Sequence, residues 1–263
     1  MKKILALLMA TLLIMTTFAA CGENKNGGET ATDANAGLYD MSSDTLTMGT
    51  NATFPPYEFT DDAGKVVGID AEIAQAVATK LGKKLVIKDM DFDSLLTAVQ
   101  GGACDIVFAG MTVTDERKEA VNFTQTYATG VQVVIVKDGS DIKTVDDLDG
   151  KKIGVQKGTT GDIYCTDDYG QENVKQYDNG ALAIAALQNG QVDCVVIDNE
   201  PAKAFVAENE GLKILDTAYA LEEYAASVSK DNPELYAAIN GALEELIADG
   251  TVAAIVEKYI PAA

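Results

Sequence analysis

From residue 45 onward, short apolar runs alternate with segments whose apolar positions recur at helical spacing. That alternation of strand and helix predicts an α/β architecture. TLTMG at 45–49 reads as a strand, and IDAEIAQAVATKLG as an amphipathic helix that turns Ile69, Ile73, Val77 and Leu81 toward a core. LVIK is a strand, DFDSLLTAVQGG a helix closed by its glycines, and CDIVFAG a buried strand. The scheme then repeats. KKIGV is a strand, GTTGDIYC opens a helix, VKQY is a strand, NGALAIAALQNG a helix, and QVDCVVID a buried strand.

Two of these units align. LLTAVQGGACDIVFAG and AIAALQNGQVDCVVID each carry an apolar helix, a Gly-containing turn, an acid and a hydrophobic strand that ends at a loop. Asp105 corresponds to Asp193, and Gly110 to Asp198. The pairing predicts two α/β lobes that present equivalent strand ends to one cleft, where open α/β sheets place ligands.

The N-terminus follows another pattern. Lys2 and Lys3 precede ILALLMATLLIMTTFAA, an apolar run of 17 residues that is short for a bilayer span and ends in small residues. Residues 1–20 therefore read as an export signal. The sequence FAAC resembles a bacterial lipobox, with Cys21 as lipid acceptor; Phe18 departs from the leucine-like residue usual there, and an ordinary secretory signal is the alternative. The next stretch, ENKNGGETATDANAG, is polar and Gly-rich, so residues 21–43 read as a flexible tether.

Composition narrows the function. The net charge is −21, and loss of Lys2 and Lys3 takes it to −23, which argues against nucleic acid. The chain holds no histidine, and its cysteines show no C-x-x-C spacing, so zinc and Cys–His catalysis are not expected. Cys104 and Cys194 fall in apolar strands as inert thiols, while a bridge to Cys165 stays open. Asp146, Asp147 and Asp149 hint at calcium, but Val145 stands where the loop needs its first ligand, so no metal or cofactor is expected.

Arg117 is the sole arginine. It follows Thr114, a plausible N-cap, and Asp115 and Glu116, which suit a first helical turn. At that position a cation gains nothing from the helix dipole. A planar, always-charged fork for a carboxylate explains it better than a solvent-facing residue does. Gly158, Thr159 and Thr160 sit at a strand-to-helix junction whose N–H groups favour an anion, or serve as a plain cap. Asp198 ends the last buried strand of its lobe, as an acceptor for a cation or as a cap before Pro201.

Several motifs carry a resemblance. GIDAEIAQAVATKL, NATFPPYEF, AGMTVTDERKEAVNFTQTY, GKKIGVQKGTTGD, VVIDNEPA and DGTVAAIVEKY occur in the order found in the extracytoplasmic substrate-binding proteins of polar amino acid ABC importers. Ala71 is smaller than the residue usual in the first of these. The resemblance spans nearly all of residues 44–260. It implies a two-lobe, periplasmic-binding-protein-like (type II) fold with two hinge crossings, around Thr129 and Tyr224. Lobe 1 is expected at 44–130 and 222–263, and lobe 2 at 131–221.

The resemblance also implies site roles. Arg117 grips the ligand α-carboxylate, with Thr112, Gly110 and Ala109 completing that wall and Gly158 and Thr160 meeting it from the other lobe. Asp198 takes the ammonium. Phe54 and Phe92 cover the side chain, core packing being the rival role for each. Asn51 stands where relatives that take cationic amino acids commonly carry an acid. A neutral polar ligand is therefore expected first and a cationic one second, with Glu58, Asp91 and Asp162 as acids near enough to serve a cation.

The expectation is thus a non-enzymatic, monomeric binding protein, lipid-anchored on the outer face of the cytoplasmic membrane, that delivers an amino acid to an ABC permease. A sensor component is one alternative. A dehydratase on the same fold is another, disfavoured by the lack of histidine.

Overall fold

The structure is a computed structural model and describes residues 39–216 and 218–261. The leader at 1–20, Cys21 and most of the expected tether lie outside the described residues. The tether's end departs from expectation, because the chain is already packed at Tyr39. Its N–H donates to Asn232 Oδ1 at 2.8 Å, its hydroxyl donates to the Thr45 carbonyl at 2.6 Å, and Lys83 Nζ lies 5.2 Å from its ring.

The first lobe opens with β1 (Thr45–Thr50), a small antiparallel sheet of β2 (Thr53–Phe54), β3 (Glu58–Thr60) and β4 (Val66–Val67), and α1 (Ile69–Lys80). β5 (Lys84–Asp89) follows, then a 3-10 turn at Phe92–Ser94 that leads into α2 (Leu95–Gln100), β6 (Ile106–Val107) and α3 (Asp115–Ala120). The buried face of α1 is the one its periodicity names: Ile69, Ile73 and Val77 are fully buried. Each contributes about 1.5–3 kcal/mol relative to exposure.

A 17-residue strand, β7 (Val121–Lys137), then leaves this lobe. The second lobe comprises β8 (Ile153–Gln156), α4 (Thr160–Tyr169), β9 (Val174–Tyr177), α5 (Gly180–Gln188), β10 (Cys194–Asp198), α6 (Asn199–Glu208) and β11 (Leu212–Ile214). β12 (Ala220–Ser229) returns, and α7 (Pro233–Ala248) and α8 (Thr251–Tyr259) pack on the first lobe. Strand order in the nine-stranded sheet is β5-β1-β6-β12-β7-β10-β8-β9, with β11 also on β7. β7 and β12 thus connect two parallel halves as an antiparallel pair. Glu223 stands opposite Thr129 and Tyr224 opposite Ala128, and the register shifts beyond Tyr224. Such irregularities bend and twist a strand pair locally.

The internal repeat has a physical basis. Asp105 Oδ2 accepts from the Thr47 N–H at 2.7 Å, and Asp193 Oδ2 accepts from the Lys152 N–H at 2.8 Å. In each lobe the acid therefore ties the start of its own strand to the neighbouring strand. The second lobe's core gathers Val134, Val136, Ile153, Val155 and Val196 around Cys165 and Cys194. Cys104, Cys165 and Cys194 are all free and buried. Burial pushes the Cys104 thiol up to about 11 and that of Cys165 to about 12, so both stay protonated at neutral pH. Asp147 is a capping residue: its carboxylate accepts from the Thr144 N–H at 3.0 Å in a reciprocal capping box.

Candidate functional site

The site grows from the turn at residues 110–117. Thr114 caps α3, its hydroxyl accepting from the Arg117 N–H at 3.1 Å, which fixes Arg117 as the third helical residue. The side chain turns inward and is only 6% exposed. Nη1 donates to the Thr112 carbonyl at 2.8 Å, Nη2 donates to the Gly158 carbonyl at 3.0 Å, and the guanidinium carbon lies 5.5 Å from the Phe92 ring centre. Among the described residues every ion pair within 4.0 Å belongs to a lysine, so this buried cation has no carboxylate partner. Burial lowers its pKa, opposed by the fields of Glu222, Tyr164 and Asp198.

Asp198, at the C-terminal end of β10, is the complementary charge. It is 6% exposed and accepts a hydrogen bond from the Tyr224 hydroxyl. Burial, then the nearby Glu222, pushes its carboxyl up to about 8. Glu222 Oε2 accepts from Thr112 Oγ1 at 2.9 Å and from Gln132 Nε2 at 3.0 Å, while its Oε1 is buried without a donor. Acid thus accumulates where the crossing strands meet the cleft, and no lysine or arginine pairs with it among the described residues.

Two amides form the far wall. Asn51 Nδ2 donates to the Met90 carbonyl at 2.9 Å, and Oδ1 accepts from Thr53 Oγ1 at 2.8 Å and from Gln156 Nε2 at 2.9 Å. The last bond crosses from β8 of one lobe to the end of β1 in the other. Lys157 and Asp93 add an inter-lobe ion pair at 2.7 Å.

Asn51, Phe54, Phe92, Ala109, Gly110, Thr112, Arg117, Thr160 and Asp198 line one cavity between the lobes. Gly110 has φ +51°, and a Cβ there would lie 2.8 Å from the Phe54 ring, so the wall requires glycine. Gly158 does not line the cavity. Its N–H donates to Asp162 Oδ2 at 2.9 Å and its carbonyl is taken by Arg117, so it offers no free N–H to an anion. Asp162 itself is engaged by Gln176 Nε2 at 2.8 Å. Thr112 spends its hydroxyl proton on Glu222, so its part in the wall is the carbonyl that holds Arg117.

Three further residues line the cavity: Thr159, expected with the anion-favouring turn, Glu58, and Gln156, which was not expected. Glu58 entered the sequence reading as an acid near enough to serve a cation. Gln156 immediately precedes the Lys-Gly-Thr-Thr turn at the cleft-facing end of β8, and that position was its only sequence signal.

Residues 46–262 match the family model described as bacterial extracellular solute-binding proteins, family 3. Among curated proteins, the L-cystine-binding protein TcyJ of Escherichia coli K12 is 33% identical over 222 residues, covering 83% of each chain. The arginine-binding extracellular protein ArtP of Bacillus subtilis is 31% identical over 265 residues, covering 98% of each. An ancestral arginine-binding protein solved with glutamine superposes with a TM-score of 0.79 at 45% identity, covering 82% of this chain and 98% of that one. These likenesses carry the two-lobe type II fold and an extracytoplasmic setting, and they assign solute binding in place of catalysis. The chain belongs to the bacterial extracellular solute-binding proteins, family 3.

Proposed function

We propose that the protein captures a free polar amino acid between its lobes and delivers it to an ABC permease. The observation that carries this reading is the charge layout of the cavity. A buried guanidinium without a carboxylate partner and a buried carboxyl group without a cation line the same cavity. Each is costly alone, and a zwitterion supplies the missing partner to both. Arg117 would take the α-carboxylate with Thr160, and Asp198 the ammonium. Phe54 and Phe92 would flank the stem of the side chain.

For the side chain itself, the Asn51–Gln156 bond at 2.9 Å supports a neutral polar end. An amide pair offers donors and acceptors without charge, so glutamine is the first candidate and arginine the second. Relatives named for their ligands span both kinds: a B. subtilis relative is named as glutamine-binding, and an ancestral arginine-binding protein was solved with glutamine and with arginine.

The lobes are read as 44–130 with 222–263, and 131–221, joined at Thr129 and Tyr224. Anchoring through Cys21 on the outer face of the cytoplasmic membrane and a monomeric state complete the proposal. Calorimetric titration of the purified protein with glutamine, serine, cystine, arginine and lysine tests it. Saturable one-to-one binding of at least one is expected, glutamine tightest; no binding across the set would refute the reading.

A further inference from the structure

Behind the cavity wall lie two acids that the amino acid site leaves unexplained. Glu58 lines the cavity, yet it is 0% exposed, as is Asp70 at the start of α1. Gly68 brings them together. Its φ is +120°, and a Cβ would fall 2.3 Å from the Tyr57 carbonyl, so only glycine lets the chain enter α1 this close to the Tyr57–Glu58 backbone. The Asp70 N–H then donates to that same carbonyl at 2.8 Å.

Asp70 Oδ2 is well supplied, accepting from the Gly110 N–H at 2.7 Å and the Tyr127 hydroxyl at 2.7 Å. Asp70 Oδ1 and both Glu58 oxygens have no N–H or O–H donor from any other described group. Two fully buried carboxyls that leave three oxygens without a donor, and pair with no lysine or arginine among the described residues, are costly as two charges. The titratable groups whose fields bear on Glu58 are acids or phenols: Asp70 on α1, Asp89 on β5, Asp198 on β10, and Tyr57, with Tyr127 of β7 bonded to Asp70 and Tyr224 of β12 against Tyr57. Arg117 lines the same cavity but is held by the Thr112 and Gly158 carbonyls.

We infer that Glu58 and Asp70 share one buried proton, carried by Glu58, and that this proton sets the charge of the side-chain pocket. With a neutral side chain bound, Glu58 stays a neutral acid that donates to Asp70. A cationic side chain entering the cavity displaces the proton to solvent and gains a carboxylate. Burial and the neighbouring Asp70 raise Glu58 well above its ordinary range, in keeping with a retained proton in the ligand-free protein. A site that is neutral or anionic on demand accepts both ligand types seen among the relatives.

The inference rests on the amino acid reading, and two measurements keep them apart. The first needs no ligand. Infrared spectra of protein with ¹³C-carboxyl glutamate at pH 7 should show the carbonyl stretch of a protonated glutamic acid, absent from Glu58→Gln. Lack of that band in the wild type would overturn the shared proton whatever the protein binds. The second compares arginine with glutamine by calorimetry between pH 6 and 8. Proton displacement makes the ratio of arginine to glutamine affinity rise with pH, by up to about tenfold per unit, and Asp198 cancels from the ratio because both ligands carry an ammonium. In Glu58→Gln the ratio should become independent of pH. A ratio that stays flat in the wild type, or arginine failing to bind while the protonated band is present, would overturn the ligand-linked switch and leave amino acid binding standing.

Discussion

Arg117 of α3 donates through Nη2 to the Gly158 carbonyl at 3.0 Å, so one side chain of the first lobe is bonded to the turn that begins α4 of the second. With the Asn51–Gln156 bond and the Lys157–Asp93 ion pair, it makes three polar contacts across the cleft. The structure is therefore the closed arrangement, and the β7–β12 pair is where opening must occur. Hinge motions of this kind are absorbed by a few residues. Small-angle scattering should give a smaller radius of gyration with saturating amino acid than without. Equal radii would mean that the lobes do not open.

The Lys157–Asp93 pair is partly solvated, with side chains 54% and 30% exposed. Exposed pairs contribute about 0–1 kcal/mol. Lys157→Ala should accordingly weaken ligand binding by no more than about fivefold and act mainly on the dissociation rate. Stopped-flow measurement of both rate constants checks this, and a hundredfold loss would give the pair a larger role than its exposure allows.

Asp198 predicts a pH dependence with a definite sign. Its carboxyl titrates near 8 when folded and near the ordinary Asp value when unfolded, so the folded state binds the extra proton between those values. Its stabilising contribution is complete at acid pH and is lost as pH rises toward 8. Asp198→Asn removes this loss and should raise the ligand-free Tm at pH 8, by about 2–4 °C for each kcal/mol. The same change takes the negative charge away from the ligand ammonium, leaving a neutral amide oxygen as acceptor, and should weaken binding strongly. Scanning calorimetry of both proteins at pH 5 and pH 8 tests the sign; a variant less stable than wild type at pH 8 would contradict it.

Asn51 and Gln156 should set the choice of side chain. Asn51→Asp places a carboxylate opposite the Gln156 amide and should shift preference toward arginine or lysine over glutamine by about 1.5–3 kcal/mol, the strength of a hydrogen bond to a charged group. Binding constants for the three ligands on both proteins decide it, and an unchanged ratio would remove Asn51 from the side-chain pocket.

The site was partly legible in the chain because its charges are locally marked. Arg117 stood out as the only guanidinium, and the Thr114 cap located its helical position. The α1 core face and the paired Asp105 and Asp193 followed from periodicity and repetition. Gln156 was not legible, because a glutamine ending a short strand looks like any polar strand end until a residue of the other lobe, 105 positions away, bonds to it. Glu58 and Asp70 were hidden for a similar reason. Twelve residues separate them, and only the glycine turn at Gly68 lets the two stretches of backbone approach this closely. Gly158 was misjudged because the helix start suggested free N–H groups, whereas Asp162, one turn on, already holds its N–H.

The account depends most on Arg117 holding a carboxylate. Removing one partner of a buried ion pair costs about 3–5 kcal/mol, so Arg117→Ala should weaken amino acid binding by about 100- to 5,000-fold. Arg117→Lys should lose much of it too, since an ammonium cannot reproduce the fork. Isothermal titration of glutamine into wild type and Arg117→Ala, with circular dichroism confirming that both are folded, is the direct measurement. Loss of affinity in that range is the result predicted here, and near-normal affinity in a folded Arg117→Ala would contradict it.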